Sequence, residues 1–209
     1  HLEEEIDDLT IDEVVKKIIN FHAISSKNGV PEEVEHHPML PGCLASLDWI
    51  GYFAFQDIEH MIEHLPSNGQ EDGRLILAWA NLGALVEGSM KLVLSVWLHS
   101  YKSAVEAKRA HSVYKRLWND AKQIADSPDG LMLDVLREFF RMEVWHQNID
   151  GEEWNNWVKE IQARRNCIHA YRSRELGNAE EFQRHLRRYL RFLDEKIVGC
   201  MPNPLDFDR

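Results

Sequence analysis

The residues between Leu75 and Leu98 constrain this chain most. Leu75, Trp79, Leu82, Leu85, Val86, Val93, Trp97 and Leu98 recur at helical spacing yet cover more than one face. A helix that is apolar on several sides must be covered on several sides, which places it at the centre of a bundle. Other segments supply the surrounding helices. Thr10-Ile11-Asp12-Glu13 reads as a capping box ahead of Ile11, Val14, Val15, Ile18 and Ile19. Gly29, Pro31, Pro38 and Pro41-Gly42 mark a loop. A helix is expected from about Cys43 to Leu65, stopped by Pro66-Ser67-Asn68-Gly69, and the central helix starts near Glu71. From Lys102 to Ala125 the helical pattern continues but turns polar, as a bent continuation or a separate helix. Ser127-Pro128-Asp129-Gly130 breaks the chain before a helical run from Leu131 to Trp145. Asp150-Gly151 breaks it again before a run from Glu152 to Ile168, with Trp154, Trp157, Val158 and Ile161 inward. Asn178 caps a last helix through Phe182, Leu186, Tyr189, Leu190, Leu193 and Ile197. No period-two alternation is long enough for a sheet. The prediction is an all-α fold: an up-and-down bundle of four to five core helices over residues 42–199. An N-terminal helix and loop extension covers 1–41, and a tail covers 200–209.

Composition bounds the function. Hydrophobic residues make up 44% and charged residues 28%, the balance of a soluble globular domain. The best membrane-span candidate, Leu75 to Leu98, is interrupted by Asn81, Glu87 and Lys91, so no membrane association is expected. Glu3, Glu4, Glu5, Asp7 and Asp8 stand where a leader would be basic and then apolar. Cys43, Cys167 and Cys200 are odd in number and far apart, which fits neither a disulfide framework nor a cysteine zinc site. The expected location is the cytoplasm. The net charge of −11 disfavours a non-specific coat on nucleic acid. Residues 159–196, however, hold ten Lys/Arg against six Asp/Glu, a net of +4 that leaves room for a local phosphate site.

The most suggestive motif lies in that segment: Arg164-Arg165-Asn166-Cys167-Ile168-His169-Ala170-Tyr171. An arginine, an amide and a histidine gathered at a helix end can hold a phosphate and move a proton. The spacing alone is weak, because Arg141 and His146 repeat it. Context separates the two. Arg141 and His146 continue an apolar helical run, whereas Arg164 and His169 close an amphipathic helix before a polar break and a final helix.

In that context the motif resembles the HEPN family, whose signature is an arginine, usually followed by a polar residue, four to six positions before a histidine. The Arg164-x4-His169-x-Tyr171 form resembles the variant of HEPN toxins paired with nucleotidyltransferase antitoxins. Ala84 to Leu92, with Glu87 and Lys91, resembles the early HEPN core helix. The family's favoured Arg-Asn pair is here Arg165-Asn166, one residue closer to the histidine. Either Arg164 is the motif arginine with Arg165 in the polar position, or the spacing is shortened. The resemblance implies a HEPN-like bundle and a metal-independent endoribonuclease with no cofactor. It implies a homodimer with RNA and an antitoxin or other regulatory protein as partners, in bacterial defence or toxin–antitoxin function. His169 would be the general acid/base, Arg164 the phosphate ligand and Asn166 an orienting group. Arg165, Tyr171 and Arg172 would support RNA binding, and Glu87 and Lys91 would border the site.

Two other readings stand beside it. One is a non-catalytic HEPN-like module that binds RNA, a nucleotide or a protein, with the arginine and histidine serving as cations at a helix C-terminus. The other is a zinc hydrolase. His60-Met61-Ile62-Glu63-His64 puts two histidines at i and i+4 on one helix face, with Glu63 as base; a third ligand is needed, for which Glu138 and Glu143 are nominal candidates without a signature.

Overall fold

The computed structural model describes residues 6–25, 67–168 and 175–201. The helix expected from Cys43 to Leu65, with His60, Glu63 and His64, lies outside them, as do His169, Tyr171 and Arg172. Six α-helices are present among the described residues: α1 (Ile11–Ser25), α2 (Ser67–Val96), α3 (Leu98–Lys108), α4 (Leu133–Phe139), α5 (Gly151–Arg165) and α6 (Ala179–Phe192). Among the described residues the fold is all-α apart from one two-stranded hairpin, β1 (Trp118–Asn119) with β2 (Ile124–Ala125). The central helix begins at Ser67, four residues earlier than its sequence suggests. Small polar residues after a proline suit a first helical turn as well as they suit a break.

α2 carries the core. Trp79, Leu82, Leu85, Val86 and Met90 are fully buried, and α4, α5 and α6 all pack on this one helix. Its stretch Gly73–Val96 is long and apolar enough to cross a membrane by length and composition, even with Glu87 and Lys91 in it. Yet 61% of that window is buried inside the protein, as in a core helix. α4 and α6 each end in a single π-helical turn, Phe140–Val144 and Leu193–Ile197. Phe140, Leu193 and Ile197 in these turns are buried.

α1 opens on its capping box. Thr10 donates to the Glu13 carboxylate from both its hydroxyl and its amide, at 2.8 Å each. Those bonds hold the Glu13 carboxyl below its ordinary pKa. Val14, Val15 and Ile18 join the same core as α2. Arg187 of α6 donates to the Ile6 carbonyl at 3.0 Å, and Arg191 pairs with Asp7 at 2.6 Å. A buried polar chain completes the joint. Ser89 Oγ donates to the Leu85 carbonyl at 2.8 Å, so its contact with Tyr189 Oη, also 2.8 Å, must be donated by the tyrosine. His22 Nε2–H then donates to Tyr189 Oη at 2.7 Å. Three helices meet at this phenol.

The segment after α3 departs from its predicted helix. Helix ends at Lys108, a 3₁₀ turn follows at Tyr114–Arg116, and then the hairpin pairs Trp118 with Ala125 and Asn119 with Ile124. Val113, Tyr114 and Leu117 have helical spacing, which is why the sequence reads as helix. Their backbone is claimed otherwise. Asp126 N–H donates to the Leu117 carbonyl at 2.8 Å, Asn119 Oδ1 accepts from Lys122 N–H at 3.1 Å, and Gln123 takes φ of 54°. An Asn side chain that closes a turn locally competes with helix in this way.

Burial lowers the pKa of His22 to about 4 from 6.5. The folded state thus resists a proton that the unfolded chain accepts. His22 contributes its stability in full above pH 6.5 and loses it as pH falls toward 4. At about 1.4 kcal/mol per pKa unit the loss is about 3 kcal/mol. Urea denaturation at pH 7 and pH 4.5 should show a fall in stability that His22→Gln reduces by about that amount.

Candidate functional site

The site lies where α5 runs out. Trp154, Trp157, Val158 and Ile161 bury the inner face of α5, and a 3₁₀ turn at Asn166–Ile168 continues it. Arg164 and Arg165 are neighbours on a helix, so their side chains leave it about 100° apart. They have different fates.

Arg164 turns inward and is 8% exposed. Its guanidinium lies over the Trp79 ring at 5.5 Å. One Nη donates to the Glu175 carbonyl at 2.7 Å and the other pairs with Glu181 at 2.6 Å. Glu160, one turn back, is 4.0 Å away. Gly177 makes the approach of the 175–178 segment feasible. Its φ is +71°, and a Cβ there would lie 1.9 Å from the Glu181 carboxylate and 3.1 Å from Arg164 Nη1. Asn178 then caps α6 by accepting from the Glu181 amide at 2.9 Å. Arg164 thereby ties the end of α5 to the start of α6.

Arg165 turns toward α2. Its aliphatic stem lies on Gly83, where a Cβ would meet Arg165 Cδ at 2.5 Å and Cβ at 2.8 Å. Its guanidinium pairs with Glu87, which also holds the Lys91 ammonium at 2.7 Å. Lys91 donates in turn to the Asp129 carbonyl at 2.8 Å. Two cations share one carboxylate, which leaves the group at +1. The Arg165 side chain is 34% exposed. The structure thus brings Glu87, Lys91 and Arg165 together and leaves Arg164 apart with its own carboxylates. Asn166 comes directly after, half-buried, with no hydrogen bond to its side chain among the described residues.

Glu160, Glu181 and His185 place their ligand atoms within 4.8 Å of one another, the spacing of a metal set. The chemistry of the donors argues otherwise. His185 Nδ1 accepts from Trp157 Nε1–H at 3.1 Å, so the neutral ring carries its proton on Nε2, which faces Glu160 at 3.5 Å. Burial lowers the His185 pKa, against the pull of Glu160 and Glu181. The ring therefore turns an N–H, not a lone pair, toward the carboxylate, and the Arg164 guanidinium supplies the cation that the trio needs. The cleft beside Arg164, lined by Glu160, Ala163, Cys167 and Glu175, has two carboxylates to one guanidinium and suits an anion poorly.

Gly83, Trp79, Glu181 and His185 were not among the residues the motif singled out. Two signals were available. Asn178-x-x-Glu181 has capping-box spacing, and Gly83 stands one turn before Glu87 in a helix where glycine is otherwise unfavourable. No protein-family model, curated protein or solved structure matches the chain.

Glycine within a helix costs about 1 kcal/mol relative to alanine. A Cβ at Gly73 meets nothing within 4 Å, so Gly73→Ala should gain about that amount in urea denaturation. Gly83→Ala should gain nothing or lose stability, because the Arg165 stem must move. Arg164→Ala should cost about 3 kcal/mol by leaving Glu181 and the Glu175 carbonyl without their donor. Arg165→Ala should cost less than about 1 kcal/mol, since Lys91 still neutralises Glu87.

Proposed function

We propose that the chain is a HEPN-like helical bundle acting as a metal-independent endoribonuclease, with Arg165 as the phosphate-facing arginine. One observation carries this reading: Arg165 and Lys91 share Glu87 in a partly exposed, net positive group directly ahead of Asn166 and His169. A phosphodiester entering there exchanges one carboxylate contact for its own charge-assisted bonds. Arg164, by contrast, is already saturated by Glu181, the Glu175 carbonyl and the Trp79 face. This reading takes the shorter spacing, Arg165-Asn166-x-x-His169, as the working motif.

The chemistry needs few groups. His169 takes the proton of a ribose 2′-hydroxyl as the oxygen forms its bond to phosphorus. The bond from phosphorus to the 5′-oxygen breaks, and that oxygen takes a proton from a second acid. The products are a 2′,3′-cyclic phosphate and a 5′-hydroxyl. Arg165 stabilises the charge gathering on the phosphoryl oxygens, and Asn166 orients them. One chain supplies one histidine in this motif, so the reading includes a homodimer that brings in the second. An antitoxin or similar regulator belongs to the same proposal.

A specific observation favours the second reading, a non-catalytic binding module. Both arginines are carboxylate-paired, which describes a bundle held by its ions as well as a resting active site.

The deciding experiment is cleavage of a mixed RNA pool in excess chelator. Wild type should cut and leave cyclic-phosphate ends. His169→Ala and Arg165→Ala should each lose about 100-fold or more while remaining folded. Arg164→Lys should lose stability ahead of rate. A folded wild-type dimer that cuts none of the pool would favour the binding module.

A further inference from the structure

The hairpin lobe that interrupts the helical pattern is, with residues 159–196, one of two basic segments in an acidic chain. Residues 98–125 hold Lys102, Lys108, Arg109, Lys115, Arg116 and Lys122 against Glu106 and Asp120, a net of +4 in a chain of −11. Two of these cations serve the fold: Lys108 pairs with Glu143 at 2.5 Å, and Arg116 pairs with Asp134. Lys102, Lys115 and Lys122 have no carboxylate partner among the described residues, and Lys115 and Lys122 are exposed. Arg109 lies over the Trp118 ring at 5.3 Å, which fixes its guanidinium on the hairpin. The lobe is joined to the Arg165 group by hydrogen bonds. β2 leads into the turn whose Asp129 carbonyl holds Lys91, and Lys91 holds the carboxylate that pairs with Arg165.

We infer that this lobe is a docking surface for the phosphodiester backbone of RNA, separate from the Arg165 group and feeding it. The inference rests on the ribonuclease reading for its choice of RNA over other polyanions. The electrostatic reason is local. Charges are screened within about 8 to 10 Å at ordinary salt, so a polyanion senses the nearest patch rather than the total of −11. The acidic segments elsewhere then help, because they repel the strand and leave it the basic ones. Lysines with no carboxylate partner among the described residues give up none of the ion pairs seen there when they meet a phosphate.

The test is fluorescence-anisotropy binding of a 2′-O-methyl RNA, which lacks the 2′-hydroxyl and cannot be cut by this chemistry. The variant is Lys102→Gln/Lys115→Gln/Lys122→Gln, which leaves the Lys108 and Arg116 ion pairs intact. Its thermal midpoint should match that of wild type. Its affinity should fall at least roughly tenfold, and the slope of log K against log salt should shrink by about two, near 0.7 for each lost contact to a single strand. Arg184→Glu, an exposed charge on α6, serves as the control and should change binding little. Unchanged binding by the triple variant would overturn the inference, as would an equal loss in the control. Failure of wild type to bind the RNA would also overturn it, and capture of poly-glutamate instead would assign the surface to an acidic protein. Cleavage assays separate this inference from the ribonuclease reading. Chelator-resistant cutting with binding untouched by the triple variant would remove the lobe alone. Lobe-dependent binding without cutting would remove the ribonuclease alone.

Discussion

Everything in this fold depends on covering one helix. α2 is apolar around most of its circumference, and no single partner can remove that much surface from water. α4, α5 and α6 all pack on it, and α1 reaches the same core. The few polar atoms at the joint with α1 are chained so that each finds a partner. Ser89 on α2 meets Tyr189 on α6, and Tyr189 meets His22 on α1. That chain fixes which faces touch, whereas apolar packing alone would tolerate sliding. The cost is a histidine that must stay neutral.

The two adjacent arginines show how a helix separates roles. Turned inward, Arg164 meets an indole face, a carbonyl and a carboxylate, and joins two helices. Turned about 100° away, Arg165 meets a glycine and a shared carboxylate and keeps a third of its side chain in solvent. The first arrangement is stable because nothing is left over. The second has a positive charge in excess. That difference, and not the identity of the residues, is what distinguishes a structural cation from one available to a ligand.

Much of this was legible in the chain, and the exceptions have physical causes. The burial of α2, the Thr10–Glu13 box and the Asn178 cap arise from patterns local to a few residues, and local patterns survive folding. The hairpin was hidden because Val113, Tyr114 and Leu117 have helical spacing while Asn119 closes a turn through its own side chain. Which of Arg164 and Arg165 turns inward was not legible at all. Their surroundings come from Trp79, Gly83, Glu87 and Glu181, all on other helices and the first three far away along the chain. The His169, Tyr171 and Arg172 expectations, and the His60/Glu63/His64 alternative, lie outside the described residues.

The π-helical turns at Phe140–Val144 and Leu193–Ile197 set the phase in which the ends of α4 and α6 meet the core. Each holds one more residue than an α-turn between the same hydrogen-bonded groups. The backbone beyond each turn is therefore rotated by about one residue relative to an uninterrupted helix. Trp145 and Ile197 are buried in that shifted phase. The core at these two points is matched to a reading frame offset by one. Restoring ideal helix by deleting a residue there would turn a buried tryptophan or isoleucine toward water, so greater local regularity would make a worse protein.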